Sequence, residues 1–164
     1  MKNRTLKIFT AASLLMVGNL AFAHDYAPLP GLGLATPAIT THYFRVDCSD
    51  DGGGPADHLA FSIQGTNATY TNSAGNPVAA PLISGQVTAS VQTTKGPVYL
   101  AGNTVDAKNA DGKGSPEIII KAGNGPYFIA VDKNKAGPQD YSFTYHCMSL
   151  TAHTGTALTK LKIK

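Results

Sequence analysis

Residues 127–147 read Tyr127-Phe128-Ile129-Ala130-Val131-Asp132-Lys133, then Asn134-Lys135-Ala136-Gly137-Pro138-Gln139-Asp140, then Tyr141-Ser142-Phe143-Thr144-Tyr145-His146-Cys147. Tyr127, Ile129 and Val131 recur every second residue, as do Tyr141, Phe143, Tyr145 and Cys147. A period of two places each set on one face of a β-strand, half buried and half wet. The segment between them, Asp132–Asp140, carries Asn, Gly and Pro and predicts a hairpin connection longer than the two-residue type. The same alternation recurs upstream. Phe44, Val46 and Cys48 mark a strand over about 40–48, Leu59, Phe61 and Ile63 the next, and Val87, Ala89 and Val91 a third within 82–93. Val98-Tyr99-Leu100 and the Ile118-Ile119-Ile120 core of Glu117–Lys121 predict shorter strands, and Ala157–Ile163 a last one. No stretch of residues 24–164 carries a helical apolar period. The expectation is an all-β chain: a single two-layer β-sandwich, of jelly-roll or related type.

Upstream of that domain, residues 1–23 have the layout of a cleaved signal peptide. Lys2, Arg4 and Lys7 form a basic head, an apolar run extends from Ile8 to Phe22, and Ala21-Phe22-Ala23 supplies a small-residue cleavage site. The run, roughly fifteen residues, is short for a membrane span of about twenty. Cleavage leaves His24 as the new amino terminus. Of the thirteen Lys and Arg, three lie in this leader, so ten remain against ten Asp and Glu. The precursor's positive charge thus disappears, and with it any argument for nucleic acid. No second apolar run is long enough to span a membrane. The expected location is secreted, periplasmic or on the cell surface.

Export decides how the two cysteines are read. Cys48 and Cys147 each continue the apolar parity of a strand, so both point into the core. In an oxidising compartment, two thiols with no other thiol available are expected to form a disulfide.

The run Ser115-Pro116-Glu117-Ile118, Gly123-Asn124-Gly125-Pro126-Tyr127, Val131-Asp132-Lys133, Ala136-Gly137 and Asp140-Tyr141 resembles the closing half of the bacterial pre-peptidase C-terminal (PPC) type domain. Phe143 stands where that family usually has leucine or valine, and the chain continues into His146-Cys147-Met148. The resemblance implies an accessory β-sandwich on exported proteins, commonly beside an enzyme, and carries over no catalytic residue.

Several polar segments are candidate sites. Asp47, Ser49 and Asp51, followed by Gly52-Gly53-Gly54 and then Asp57, resemble the start of a calcium loop: alternating oxygen ligands on a glycine turn. The bidentate Glu that closes such a loop is absent, since His58 stands there. The alternative is a plain acidic turn. Asp106–Glu117, with Lys108 and Lys113 among its oxygens, is expected to be a flexible loop. The imidazoles offer a copper alternative. A His24 terminus combines an α-amine with an imidazole, a pair that suits Cu(II). His146 and His153 are the histidines expected to join it, with Met148 as a soft ligand, beside His42 and His58. His146 is expected on the exposed face. Tyr70, Tyr99 and Tyr127 are candidates for stacking on a sugar.

For catalysis there is no G-x-S-x-G elbow, no H-E-x-x-H and no phosphate-binding glycine loop. Residues 24–38 contain Pro28, Pro30, Pro37 and Gly31-Leu32-Gly33-Leu34 with one charge, Asp25. This arm, preceding the domain at 39–164, either packs on its own sandwich or adds to the edge of a neighbour. The expected function is therefore non-catalytic, by binding or structure outside the cytoplasm. The partner is a surface polymer, a protein, a metal (Ca or Cu), or further copies of the chain.

Overall fold

Alternating apolar residues on short turn-bounded segments leave the main strands with one apolar face each, and two sheets pressed together bury these faces. A computed structural model describes residues 24–26, 41–150 and 152–161. The leader 1–23 and most of the arm lie outside the described residues. Among these, every regular element is a strand: β1 (His24–Tyr26), β2 (His42–Ser49), β3 (His58–Gly65), β4 (Thr69–Thr71), β5 (Pro77–Ala79), β6 (Ile83–Thr93), β7 (Gly96–Val105), β8 (Ile118–Ile120), β9 (Gly125–Lys133), β10 (Tyr141–Met148) and β11 (Gly155–Lys160). One sheet has the order β1-β10-β3-β8, the other β11-β2-β9-β6-β7, and β4 and β5 form a separate hairpin. All pairings are antiparallel.

The inward parity is the one the alternation predicts. Phe44, Val46 and Cys48 from β2, Val87 and Ala89 from β6, and Tyr127, Ile129 and Val131 from β9 meet Leu59, Phe61 and Ile63 from β3 and Tyr141, Phe143, Tyr145 and Cys147 from β10. Phe143 is the hub of an aromatic cluster, with ring centroids 5.0 Å from Phe44, 5.5 Å from Phe61 and 4.9 Å from Tyr26. The sheets approach closely where β6 carries Gly85. A Cβ there would lie 2.3 Å from the Phe61 ring, so only glycine leaves the ring its place.

The disulfide is present and ties the two sheets together. Cys48 on β2 is bonded to Cys147 on β10, with Cα atoms 5.4 Å apart and a sequence separation of 99. Closing a loop of that length contributes about 4–5 kcal/mol in the chain-entropy account.

The expected hairpin between residues 127–131 and 141–147 does not form. β9 pairs with β2 and β6, whereas β10 lies in the opposite sheet between β1 and β3. Alternation fixes which face a strand buries, and two strands facing each other across a core bury the same parity as two paired ones. The connection crosses the sandwich instead. It is fastened by Lys133, whose Nζ donates to the Gly137 carbonyl at 2.6 Å. The final strand is shifted as well, to Gly155–Lys160 at the edge of the second sheet. Val98–Leu100 expands to the full β7, paired along its length with β6.

Candidate functional site

The acidic loop between β2 and β3 does not gather its oxygens into one cluster. Asp47 stays on the strand surface, where its Oδ1 accepts from Arg45 Nε at 2.9 Å and from a second guanidinium nitrogen at 2.7 Å. Asp50 Oδ1 accepts from the amides of Gly52 at 2.9 Å and Gly54 at 3.2 Å, and Asp51 Oδ1 accepts from Gly53 at 3.2 Å. Gly52 and Gly54 have φ of 104° and 94°, which is the left-handed backbone that glycine permits. Ser49 is exposed. Asp57 faces away to His58, with Oδ2 2.9 Å from Nδ1, and to Lys121 at 3.9 Å. The buried Thr154 hydroxyl lies 2.8 Å from the Ser49 carbonyl oxygen and 2.7 Å from that of Gly54. It links the loop to the segment entering β11. Among the described residues no three or more His, Cys, Asp and Glu side chains form a metal-holding group.

Residues 106–117 are fastened to β3 and to the segment ahead of β6 rather than left as a free loop. The buried Asp106 accepts from the Gly65 amide at 2.8 Å, and the Asn109 side chain donates to the Pro81 carbonyl at 2.8 Å. Ser115 completes the attachment: its amide donates to the Ile63 carbonyl at 2.7 Å, and its hydroxyl accepts from the Ile63 amide at 3.0 Å. A buried backbone group without a partner costs on the order of 1–3 kcal/mol, so these side chains substitute for a missing strand neighbour.

The histidines fall into two settings. His42 is buried at one end of the sandwich, its Nδ1 2.6 Å from the Tyr141 hydroxyl. Burial lowers its pKa, and the nearby Lys160 and Lys133 lower it further. Burial likewise pushes the Tyr141 phenol above its usual range, with Tyr26 adding to the effect. At the other end, beside the disulfide, β10 presents His146 outward. It is half-buried rather than exposed, because His153 folds over it with ring centroids 4.7 Å apart and planes at 87°. His153 is held opposite Met148 by a single bridge, after a turn in which Ser149 Oγ accepts from the Ala152 amide at 3.1 Å. His58 is the cross-strand partner of Met148. His58 thus joins His146 and His153 at one end of the outer face of the four-stranded sheet.

Among the tyrosines, Tyr127 is fully buried and its hydroxyl donates to the Gly123 carbonyl at 2.8 Å, which removes it as a sugar-stacking residue. Tyr70 is half-buried against Gly137, while Tyr99 is 79% exposed on β7. Two further aromatics are exposed on the outer face of the five-stranded sheet, Tyr43 at 45% and Phe128 at 44%. Sequence reasoning missed them, because both sit inside strands whose alternation marks them only as outward. In register, Phe128 stands opposite Arg45 and Thr88, and Tyr99 stands opposite Ser90.

Comparison with known protein families, with characterised proteins and with solved structures returned no match.

Proposed function

We propose that this protein is an exported, non-catalytic accessory module that acts outside the cytoplasm by binding, and that its ligand is a surface polysaccharide. The observation that carries this reading is the outer face of the five-stranded sheet. Tyr43, Phe128 and Tyr99 all point outward from β2, β9 and β7, and the outward positions around them include the hydroxyl and amide side chains of Thr88, Ser90, Gln86 and Asn103 beside Arg45, Ala101 and Ala130. Neighbouring strands lie about 4.8 Å apart, so the three rings span a broad, shallow platform rather than a pocket. Rings offer flat apolar faces to the C–H faces of sugars, and the amides and hydroxyls offer partners to their O–H groups. Apolar surface left exposed and rimmed by polar residues is a mark of interaction sites. The inter-sheet disulfide supports extracytoplasmic residence.

Affinity electrophoresis of residues 24–164 through gels containing a panel of bacterial and plant polysaccharides tests the reading. Retardation by at least one polymer, abolished by Tyr43→Ala with Phe128→Ala and reduced by Tyr99→Ala, is the expected result. Unretarded migration through the whole panel, or retardation untouched by these substitutions, overturns it.

A second reading, self-assembly, is favoured by one observation. Among the described residues β1 lies at the edge of the four-stranded sheet, and its Tyr26 inserts among Phe44 and Phe143 at centroid distances of 5.0 and 4.9 Å. An edge strand joined to β2 by a proline- and glycine-containing segment is suited to exchange between copies. Concentration-dependent oligomers that vanish on Tyr26→Ala support exchange; a monomer at all concentrations excludes it.

A further inference from the structure

The pairing of β1 with β10 gives the histidine end a third nitrogen. His24 stands opposite Tyr145, and Asp25 opposite Thr144, whose hydroxyl donates to the Asp25 carboxylate at 2.7 Å. In that antiparallel register, the backbone nitrogen of His24 lies on the side of Tyr145 that leads to His146. Peptide cleavage after Ala23 converts this nitrogen from an amide into a primary amine. The same stretch of sheet carries the His146–His153 pair with rings 4.7 Å apart, and Met148 faces outward beside it. His153 Nδ1 is shielded from solvent and has no hydrogen-bond partner among the described protein groups. A shielded polar nitrogen in that condition is costly to the fold, and a bound metal ion is one group that relieves it.

We propose that the imidazoles of His146 and His153, with the terminal amine of His24, form a copper site at this edge of the sandwich. An amine and neutral imidazoles are borderline nitrogen donors, and among divalent first-row ions such sets bind Cu(II) most tightly. The Met148 thioether suits the reduced ion. The site uses two histidine side chains rather than three, the remaining ligand being backbone-derived. His58 stays outside it, engaged by Asp57 at 2.9 Å. His42 is excluded too, being buried at the far end against Tyr141. The Cys48–Cys147 disulfide, one residue from His146, fixes the strand that presents the ring. The amine ligand rests on the export reading; the imidazole pair does not.

The test uses protein prepared with an authentic His24 terminus, titrated with Cu(II) against a competing chelator and followed by electron paramagnetic resonance. One equivalent bound with a nitrogen-rich spectrum is the expected result. His146→Gln with His153→Gln weakens binding at least tenfold, and so does a single alanine placed before His24. Unaltered affinity in the double variant overturns the site, and unaltered affinity in the extended protein removes the amine and with it the three-nitrogen set. Should the double variant fail to fold, the wild-type protein still decides. Substoichiometric Cu(II) must broaden the imidazole resonances of His146 and His153 while leaving those of His42 sharp; uniform broadening, or none, overturns the proposal. Mass spectrometry of the naturally secreted species reports the cleavage point separately. A different natural terminus would defeat cleavage after Ala23, and the amine ligand with it, while the double variant and the resonance broadening would still decide the histidine pair.

Discussion

The two ends of the sandwich each hold a histidine on or beside β10, and the chain treats them in opposite ways. At one end His42 is buried and shares a short hydrogen bond with Tyr141, which is itself almost wholly enclosed. At the other, His146 and His153 pack ring against ring on the outer face, and a shielded nitrogen of His153 has no partner among the described protein groups. A buried polar group with a partner is part of the scaffold. A half-buried imidazole such as His153, with one nitrogen unsatisfied by the protein, retains a lone pair or a proton for a ligand. Residue type alone does not separate a scaffold histidine from a candidate ligand; the state of its hydrogen-bonding capacity does.

The largest effect expected from breaking this contrast lies at the disulfide, which sits at the His146 end. Cys48→Ala with Cys147→Ala should lower stability by about 4–5 kcal/mol, read from urea denaturation midpoints. At the His42 end, Tyr141→Phe removes the hydroxyl and leaves a buried ring nitrogen without its partner. The expected loss is about 1–3 kcal/mol, measured the same way. An unchanged midpoint would mean that the His42–Tyr141 bond contributes nothing to the scaffold.

Acid provides a subtler probe. Burial lowers the folded-state pKa of His42, so the folded form resists a proton that the unfolded chain accepts at its ordinary pKa of about 6.5. The stability that His42 provides is therefore complete above that value and lost as pH falls through the lower, folded one. Thermal melts between pH 7 and pH 5 should show this loss, and His42→Gln should flatten it. At alkaline pH the sign reverses. The Tyr141 phenol is raised by burial, so its contribution is present below about 10, the ordinary phenol value, and changes as pH rises above that in the destabilising sense for an ionised unfolded chain. The smallest effect belongs to the outer pair. His153→Gln removes a shielded nitrogen that has no hydrogen-bond partner among the described protein groups, so it should lower metal-free stability by no more than about 0.5 kcal/mol. A loss as large as that of Tyr141→Phe would erase the distinction between the two ends.

Much of the fold could be read from the chain because its signal is local. Phe44, Val46 and Cys48 announce their shared face without knowledge of any partner, and so do Tyr141, Phe143 and Tyr145. Strand neighbours are not local. The same inward parity fits β9 and β10 as a hairpin or as members of opposing sheets, and the chain chose the second. β4, β5 and most of β7 gave weak signals, because their exposed residues alternate with nothing buried. Within the candidate sites, the acidic loop looked like a calcium loop through spacing alone, yet its carboxylates are taken by Arg45, loop amides and His58. His146 and His153 gave no spacing signal at all. A turn held by Ser149 brings them together.

Residue order alone was enough for the class of secondary structure, the inward face of the main strands and the pairing of two lone cysteines. Each follows from periodicity or from the lack of a competing partner. Two outcomes needed the folded chain: which strands are neighbours, and that the His146–His153 pair lies beside the start of β1. Those outcomes depend on packing between segments far apart in the chain, where the energy of a contact is set by geometry that one-dimensional order does not carry.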